Sequence, residues 1–188
     1  KSTPYQNRNL YLHGDHKVWY DKQLYPGRTT NCMISMQASS EDSQYASVIS
    51  ILTPMYMDEL SAWKDTTPEH RGESYRSFKQ EKTEQLLRFI RSHGIDFSDN
   101  IEEIHTTKQF PLSYRDYTGT VDGSAYGIIK DYKCPQIGFV STRSRLGNLF
   151  LTGQNLNVHG ALGVTLTSML TCAEFVGQEY LAKKVGNA

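Results

Sequence analysis

The sequence has few cysteines, no excess of charge of either sign and no long apolar run. Its three cysteines, Cys32, Cys134 and Cys172, are widely spaced and form no C-x-x-C pair. This argues against a disulfide framework or a zinc site and favours a reducing, cytoplasmic environment. The 20 basic and 20 acidic residues cancel, whereas a nucleic-acid-binding protein usually has a basic excess. We therefore expect no nucleic-acid partner.

No run of about twenty apolar residues is present, so we expect no membrane-spanning helix, and no signal peptide is visible. The 188 residues are 38% hydrophobic and 21% charged, which is enough to build the core of one domain or slightly more. The first residue is Lys1 rather than methionine, and the opening Lys-Ser-Thr-Pro is typical of the middle of a protein. We expect the chain to be a fragment of something longer.

Alternation of apolar and polar residues predicts strands, and helical spacing of apolar residues predicts helices. The predicted strands cover residues 8–13, 17–21, 30–38, 45–53, 101–107 and 148–152, and the predicted helices cover 54–63, 73–93, 111–117 and 164–184. The strand at 45–53 is rich in aliphatic residues and is expected to be buried. This order of elements predicts an α+β fold, with a mixed, largely antiparallel sheet and helices on one face.

The most informative stretch runs from Arg145 to Gly177 and has the pattern strand, glycine turn, polar loop, glycine pair and helix. Gly153 ends the predicted strand, and Gly160 and Gly163 precede the predicted helix. Glycine lets a backbone approach a ligand closely, and a helix start offers unpaired amide groups with partial positive charge. The stretch predicts a cradle for a phosphate or another electron-rich group. The alternative is a structural strand–loop–helix unit whose glycines serve only tight turns.

Other groups of polar residues give weaker signals. His13 and His16 have no third ligand nearby, so we interpret them as solvated histidines at a hairpin turn, and no metal site is predicted. His159, within the loop, suits either a ligand contact or packing of the loop. Glu102 and Glu103 lie on a predicted strand and would face opposite sides, so they cannot act as a carboxylate pair. The many aromatic residues suit either an apolar pocket or the core.

Residues 147–153 read Gly-Asn-Leu-Phe-Leu-Thr-Gly, a loop follows to His159, and residues 160–164 read Gly-Ala-Leu-Gly-Val. This resembles the C-terminal signature of the FAD-dependent flavoprotein family of phytoene desaturases, carotenoid isomerases and retinol saturases. Upstream, residues 109–117 and 123–127 are similar to the segment that precedes the flavin-binding end in that family. The resemblance is good over about residues 105–180.

The resemblance implies a partial substrate-binding domain at residues 1–144 and, at 145–188, the last strand, loop and helix of a Rossmann-like FAD-binding domain. It implies that Gly163, Val164 and Thr165 face the N1 and C2 carbonyl edge of the flavin, and that Tyr126 contacts substrate. The substrate would be an apolar isoprenoid, carotenoid or retinoid whose C=C bonds are saturated, desaturated or isomerised. The implied cofactor-binding residues are Thr152, Gly153, Gln154, Gly160, Ala161, Gly163, Val164 and Thr165.

The chain also departs from the family. It has no G-x-G-x-x-G motif, so the phosphate-binding βαβ unit is missing, and Gln154 and Asn155 stand where many flavoproteins have an acidic residue. We expect the isolated chain to be inactive and without FAD. Its expected partner is the missing N-terminal FAD-binding half, with self-association or peripheral membrane contact through an apolar surface around the last helix. The alternative function is a non-catalytic module, binding an apolar ligand or a partner, that has lost the cofactor.

Overall fold

The computed structural model describes residues 3–14, 27–97, 109–128, 130, 133–136 and 138–186. The strands predicted at 17–21 and 101–107, with His16, Glu102 and Glu103, lie outside these residues. The chain divides into two compact units, Lys1–Ser113 and Tyr114–Ala188. The domain boundary predicted after residue 144 stays a prediction.

A three-stranded antiparallel sheet forms in the first unit, with the strand order β1-β2-β3. Its strands are β1 (Leu10–His13), β2 (Asn31–Ala38) and β3 (Ala46–Leu52), which confirms three of the predicted strands and the α+β class. The register places Leu12 opposite Cys32 and Ile34 opposite Ile51. Because side chains alternate along a strand, these residues share one face of the sheet.

Helix α1 (Gly72–Ser92) packs on that face, as the helical spacing predicts. Its residue Ile90 lies in the same core cluster as Cys32, Ile34 and Phe97, all of which are buried. Burying an aliphatic side chain of this size contributes about 1.5–3 kcal/mol, so this contact between helix and sheet stabilises the first unit.

The opposite face of the sheet is exposed, and this corrects the prediction for β3. Val48 and Leu52 of β3 are 47% and 44% exposed, and Tyr11 of β1 is 63% exposed. Within the described residues β2 is the only named strand that pairs with β3, and Thr3 adds one backbone hydrogen bond at Ala46. The aliphatic run that predicted a buried strand is therefore only half buried.

A second cluster lies around the start of α1. Residues Met57–Trp63 form a 3-10 helix where the sequence predicted a short helix, and its Leu60 packs with Tyr75, Phe110 and Leu112. Helix α2 (Pro111–Thr118) confirms the predicted helical turn.

The second unit ends in two helices, α3 (Gly160–Val176) and α4 (Gln178–Val185). The single helix predicted at 164–184 is therefore wrong in two ways: it begins earlier, and it breaks at Gly177, whose φ of 85° interrupts the helix. The strand predicted at 148–152 is also wrong, since Phe150 forms only an isolated antiparallel bridge with Arg143. Among the described residues, no helix combines the length and apolar character needed to cross a membrane.

Candidate functional site

The loop that leads into α3 contains two glycines with positive φ. These are Gly153, with φ of 106°, and Gly160, with φ of 76°. A Cβ atom placed at either glycine would meet nothing within 4 Å among the described residues. The space beside their backbone is therefore open, and the cradle stays a prediction.

The unpaired amide groups at the start of α3 belong to Gly160, Ala161 and Leu162, all exposed. His159 is the N-cap residue, and its side chain makes no capping hydrogen bond to the described part of the chain. Because the helix begins at Gly160, the amides of Val164 and Thr165 already belong to the internal i to i−4 ladder. The helix start thus offers its amides one turn earlier than the positions predicted from the sequence.

Gly163 is buried and has a packing role. A Cβ atom there would lie 2.6 Å from the carbonyl carbon of Val158, which is closer than packed atoms approach. The hydroxyl of Thr167, itself buried, donates a hydrogen bond of 3.0 Å to the carbonyl oxygen of Gly163. At this position the glycine serves a tight contact between helix and loop rather than an open approach.

The remaining predicted cofactor-binding residues line the surface of the same loop and helix. Thr152 and Gln154 are exposed, and Val164 is half-buried. The hydroxyl of Thr165 donates to the carbonyl oxygen of Ala161 over 2.8 Å, so it bonds within the helix. Of the predicted residues, Thr152, Gln154, Gly160, Ala161 and Thr165 are exposed, and Gly153 has an uncrowded backbone.

Tyr126 lies against the ring of His159. Their centroids are 4.5 Å apart with an interplanar angle of 33°, and Tyr126 remains 52% exposed. The neighbouring Gly127 permits a close approach to Asn155 of the loop, because a Cβ atom there would lie 2.7 Å from Cα of Asn155. The sequence suggested Tyr126 and His159 separately, and only the fold brings them together beside the first turn of α3.

Several contacts hold α3 against the segment before the loop. The hydroxyl of Thr171 donates to the carbonyl oxygen of Leu151 over 3.1 Å. Arg143 Nη2 lies 2.8 Å from Glu174 Oε2, and the rings of Phe150 and Phe175 are 4.4 Å apart. The strand alternation of the sequence gave no sign of this arrangement.

An apolar stripe runs along the outer face of α3. Leu162, Leu166 and Leu170, spaced one turn apart, are 74%, 45% and 45% exposed. Residues at this spacing share one helix face. Exposed leucines in such a row are unusual on a surface that has no partner.

No three His, Cys, Asp or Glu side chains within the described ranges are grouped as metal ligands would be. Comparisons of the chain with protein-family models, with curated proteins and with solved structures found no match.

Proposed function

We propose that the chain is the C-terminal part of an FAD-dependent oxidoreductase that acts on C=C bonds of an isoprenoid, carotenoid or retinoid-like substrate. Saturation, desaturation and isomerisation are all compatible with the resemblance at residues 147–164. In this proposal residues 145–188 are the last segment of a Rossmann-like FAD-binding domain. We place the protein in the cytoplasm or peripherally on a membrane, in keeping with its cysteine pattern.

The observation that carries the proposal is the open start of α3. Gly160 and Ala161 are exposed residues at the start of α3, and the backbone of Gly153 is uncrowded. Amide groups at such a helix start suit the electron-rich edge of a flavin. Gly163 does not fit, because Val158 fills the space beside it. We therefore assign the proposed flavin contact to the first turn of α3 rather than to its second turn.

The bound flavin would supply the redox chemistry. The contribution of this chain is electrostatic: the start of α3 favours negative charge by about 0.3–2 kcal/mol, which would stabilise the reduced form. Tyr126 and His159 add a partly exposed aromatic surface beside this turn, which suits contact with a flat or apolar ligand.

The leucine stripe of α3 supports the view that a further part of the protein covers this helix. In the proposal it is the missing N-terminal FAD-binding half, which would bury Leu162, Leu166 and Leu170. The isolated chain is then inactive and binds no flavin, because half of the cradle is missing.

The test is the complete natural reading frame. We expect a strand followed by G-x-G-x-x-G about 300 residues upstream, a distance typical of a two-domain protein, and flavin absorbance in the purified product. Ala161→Asp in that protein should make the flavin harder to reduce, because it places a negative charge beside the reduced ring. The same change suits the free helix start, so folding is preserved.

The matched control is Ala182→Asp in α4, which adds the same charge beyond the other end of α3. It should leave the flavin reduction potential close to that of the unchanged protein. A full-length product without flavin, or equal potentials in both variants, would contradict the proposal.

The second candidate is a non-catalytic module that binds an apolar ligand or a partner, and the exposed leucine stripe favours it. A natural reading frame without any upstream G-x-G-x-x-G, whose product binds no flavin, would support this function over the oxidoreductase.

A further inference from the structure

An open cleft of about 540 Å³ lies in the first unit where β1 and α1 end. Its lining includes Arg28, Thr29, Thr30, Phe89 and His93. Among the described residues that line it there are two basic groups and several hydroxyls, and no carboxylate. The cleft therefore has donors and positive charge without a matching acidic group.

Arg28 is the group best placed to bind a ligand. Its side chain is exposed and makes no hydrogen bond or ion pair within the part of the chain that the structure describes. Other arginines of this unit are engaged, as Arg91 is with Asp96 over 3.3 Å. A guanidinium offers a fork of N–H donors that matches the oxygens of a phosphate or carboxylate.

Thr30 provides a second donor. Its backbone is held in place, because the amide of Gly14 donates to the Thr30 carbonyl oxygen over 2.8 Å. Its hydroxyl oxygen is buried and has no hydrogen-bond partner among the residues that the structure describes. Buried polar groups almost always have a partner in native proteins, so this hydroxyl is left over for a group that the fold itself does not supply.

His93 reduces the electrostatic repulsion that an anion would meet at this place. The carbonyl groups at the end of α1 make it a negative end. Both ring nitrogens of His93 lie 2.9 Å from carbonyl oxygens, those of Phe89 and His13. A carbonyl only accepts, so only the charged ring can donate to both oxygens. These contacts raise the pKa of His93, and in its charged form the ring offsets the negative end of the helix. The charge of Arg28 then remains for a ligand.

We infer that this cleft binds a phosphate-type oxyanion, through the guanidinium of Arg28 and the hydroxyl of Thr30. The source is either free phosphate or the phosphate group of a small ester, whose organic part would lie near Phe89. This site belongs to the first unit and does not depend on the proposed oxidoreductase function.

The experiment is a titration of the complete chain of 188 residues with inorganic phosphate and with phenyl phosphate, followed by amide NMR shifts. We expect saturable shifts at residues 28–30. Arg28→Gln should weaken binding about tenfold or more, the scale of a lost charge-assisted hydrogen bond. Thr30→Val, which keeps the shape of the side chain, should weaken it severalfold.

Arg145→Gln is the matched control, because Arg145 is an exposed arginine of the second unit and its loss changes net charge equally. It should bind phosphate as the unchanged chain does. Tighter binding of phenyl phosphate assigns the site to an ester, and equal affinities assign it to free phosphate. No saturable binding by the unchanged chain, or equal weakening by Arg28→Gln and Arg145→Gln, would overturn the inference.

Discussion

The Nε2 atom of His93 lies 2.9 Å from the carbonyl oxygen of His13, which ties the end of α1 to the end of β1. The other ring nitrogen lies 2.9 Å from the carbonyl oxygen of Phe89 in the same helix. These two backbone contacts, that of Phe89 first, raise the pKa of His93 above its ordinary value of 6.5, against a smaller opposing effect of burial.

The first prediction is that this contact stabilises the first unit in a pH-dependent way. A raised folded pKa means that the contribution is fully present below the unfolded value of 6.5 and is lost as pH rises through the folded value. Urea unfolding between about pH 5 and pH 9 should show that His93→Gln destabilises the chain more at the acidic end.

Neighbouring charges and a control define that test. Arg28 shares the cleft with His93. Arg91, two residues before His93, pairs with Asp96, three residues after it. His13 contacts His93 through its carbonyl oxygen. His70→Gln, at an exposed position, should leave the pH profile unchanged. A difference between His93→Gln and the unchanged chain that stays constant with pH would refute the prediction.

The second prediction concerns the ion pair of Lys82 and Glu59. Their charged atoms are 2.7 Å apart, and their side chains are 13% and 15% exposed. Lys82→Met should lower the free energy of unfolding by about 3 kcal/mol, because it removes the ammonium group from the largely buried carboxylate of Glu59. The exposed pair of Arg76 and Glu73 provides the control, and Arg76→Met should cost less than about 0.5 kcal/mol. Equal losses of unfolding free energy in the two variants would show that burial does not set the contribution of these ion pairs to stability.

The third prediction is that Gly163→Ala destabilises the second unit. Its new methyl group would meet the backbone of Val158, and overpacking of this kind costs roughly 1–3 kcal/mol. Gly147→Ala introduces a methyl group into open space and should be neutral within about 0.5 kcal/mol. Thermal unfolding of both variants measures the difference, and a neutral Gly163→Ala would mean that the contact is not close.

The fourth prediction is that the cysteines differ in reactivity. Cys32 is 4% exposed, and burial raises the pKa of its thiol to about 11. Cys134 and Cys172 are exposed. Because the thiolate is the reactive form, a thiol reagent at about pH 8 should modify Cys134 and Cys172 rapidly and Cys32 only after unfolding. Rapid reaction at Cys32 in the folded chain would contradict this.

The fifth prediction is that the isolated chain self-associates through α3. Leu162→Ser combined with Leu166→Ser should lower the apparent mass at high concentration in size-exclusion chromatography, because it removes exposed apolar area. Val121→Ser changes another exposed residue, which is 82% accessible, and should have no effect. A monomer at every concentration for the unchanged chain would exclude the prediction.

Local patterns in the sequence determined the sheet strands and α1. The alternation in residues 8–13 and 30–38 and the helical spacing in 73–93 depend on which side chains face the core. The elements predicted from these patterns therefore match the observed strands and helix, apart from small differences in their end residues. Gly94, with φ of 76°, also follows the end of α1 as a glycine after a helix does.

The tertiary structure decided how far each element is covered and where the last helix begins. β3 is half exposed because its Val48 and Leu52 lie on the sheet face opposite α1, where they stay open. Helix α3 begins at Gly160, and Gly163 packs on Val158 inside its first turns. Residues that are distant in the chain meet in three places. These are the rings of Tyr126 and His159, the cleft beside Arg28, and the contact of His93 with His13. Periodicity carries no information about such contacts, because it records only which side of a single element is apolar.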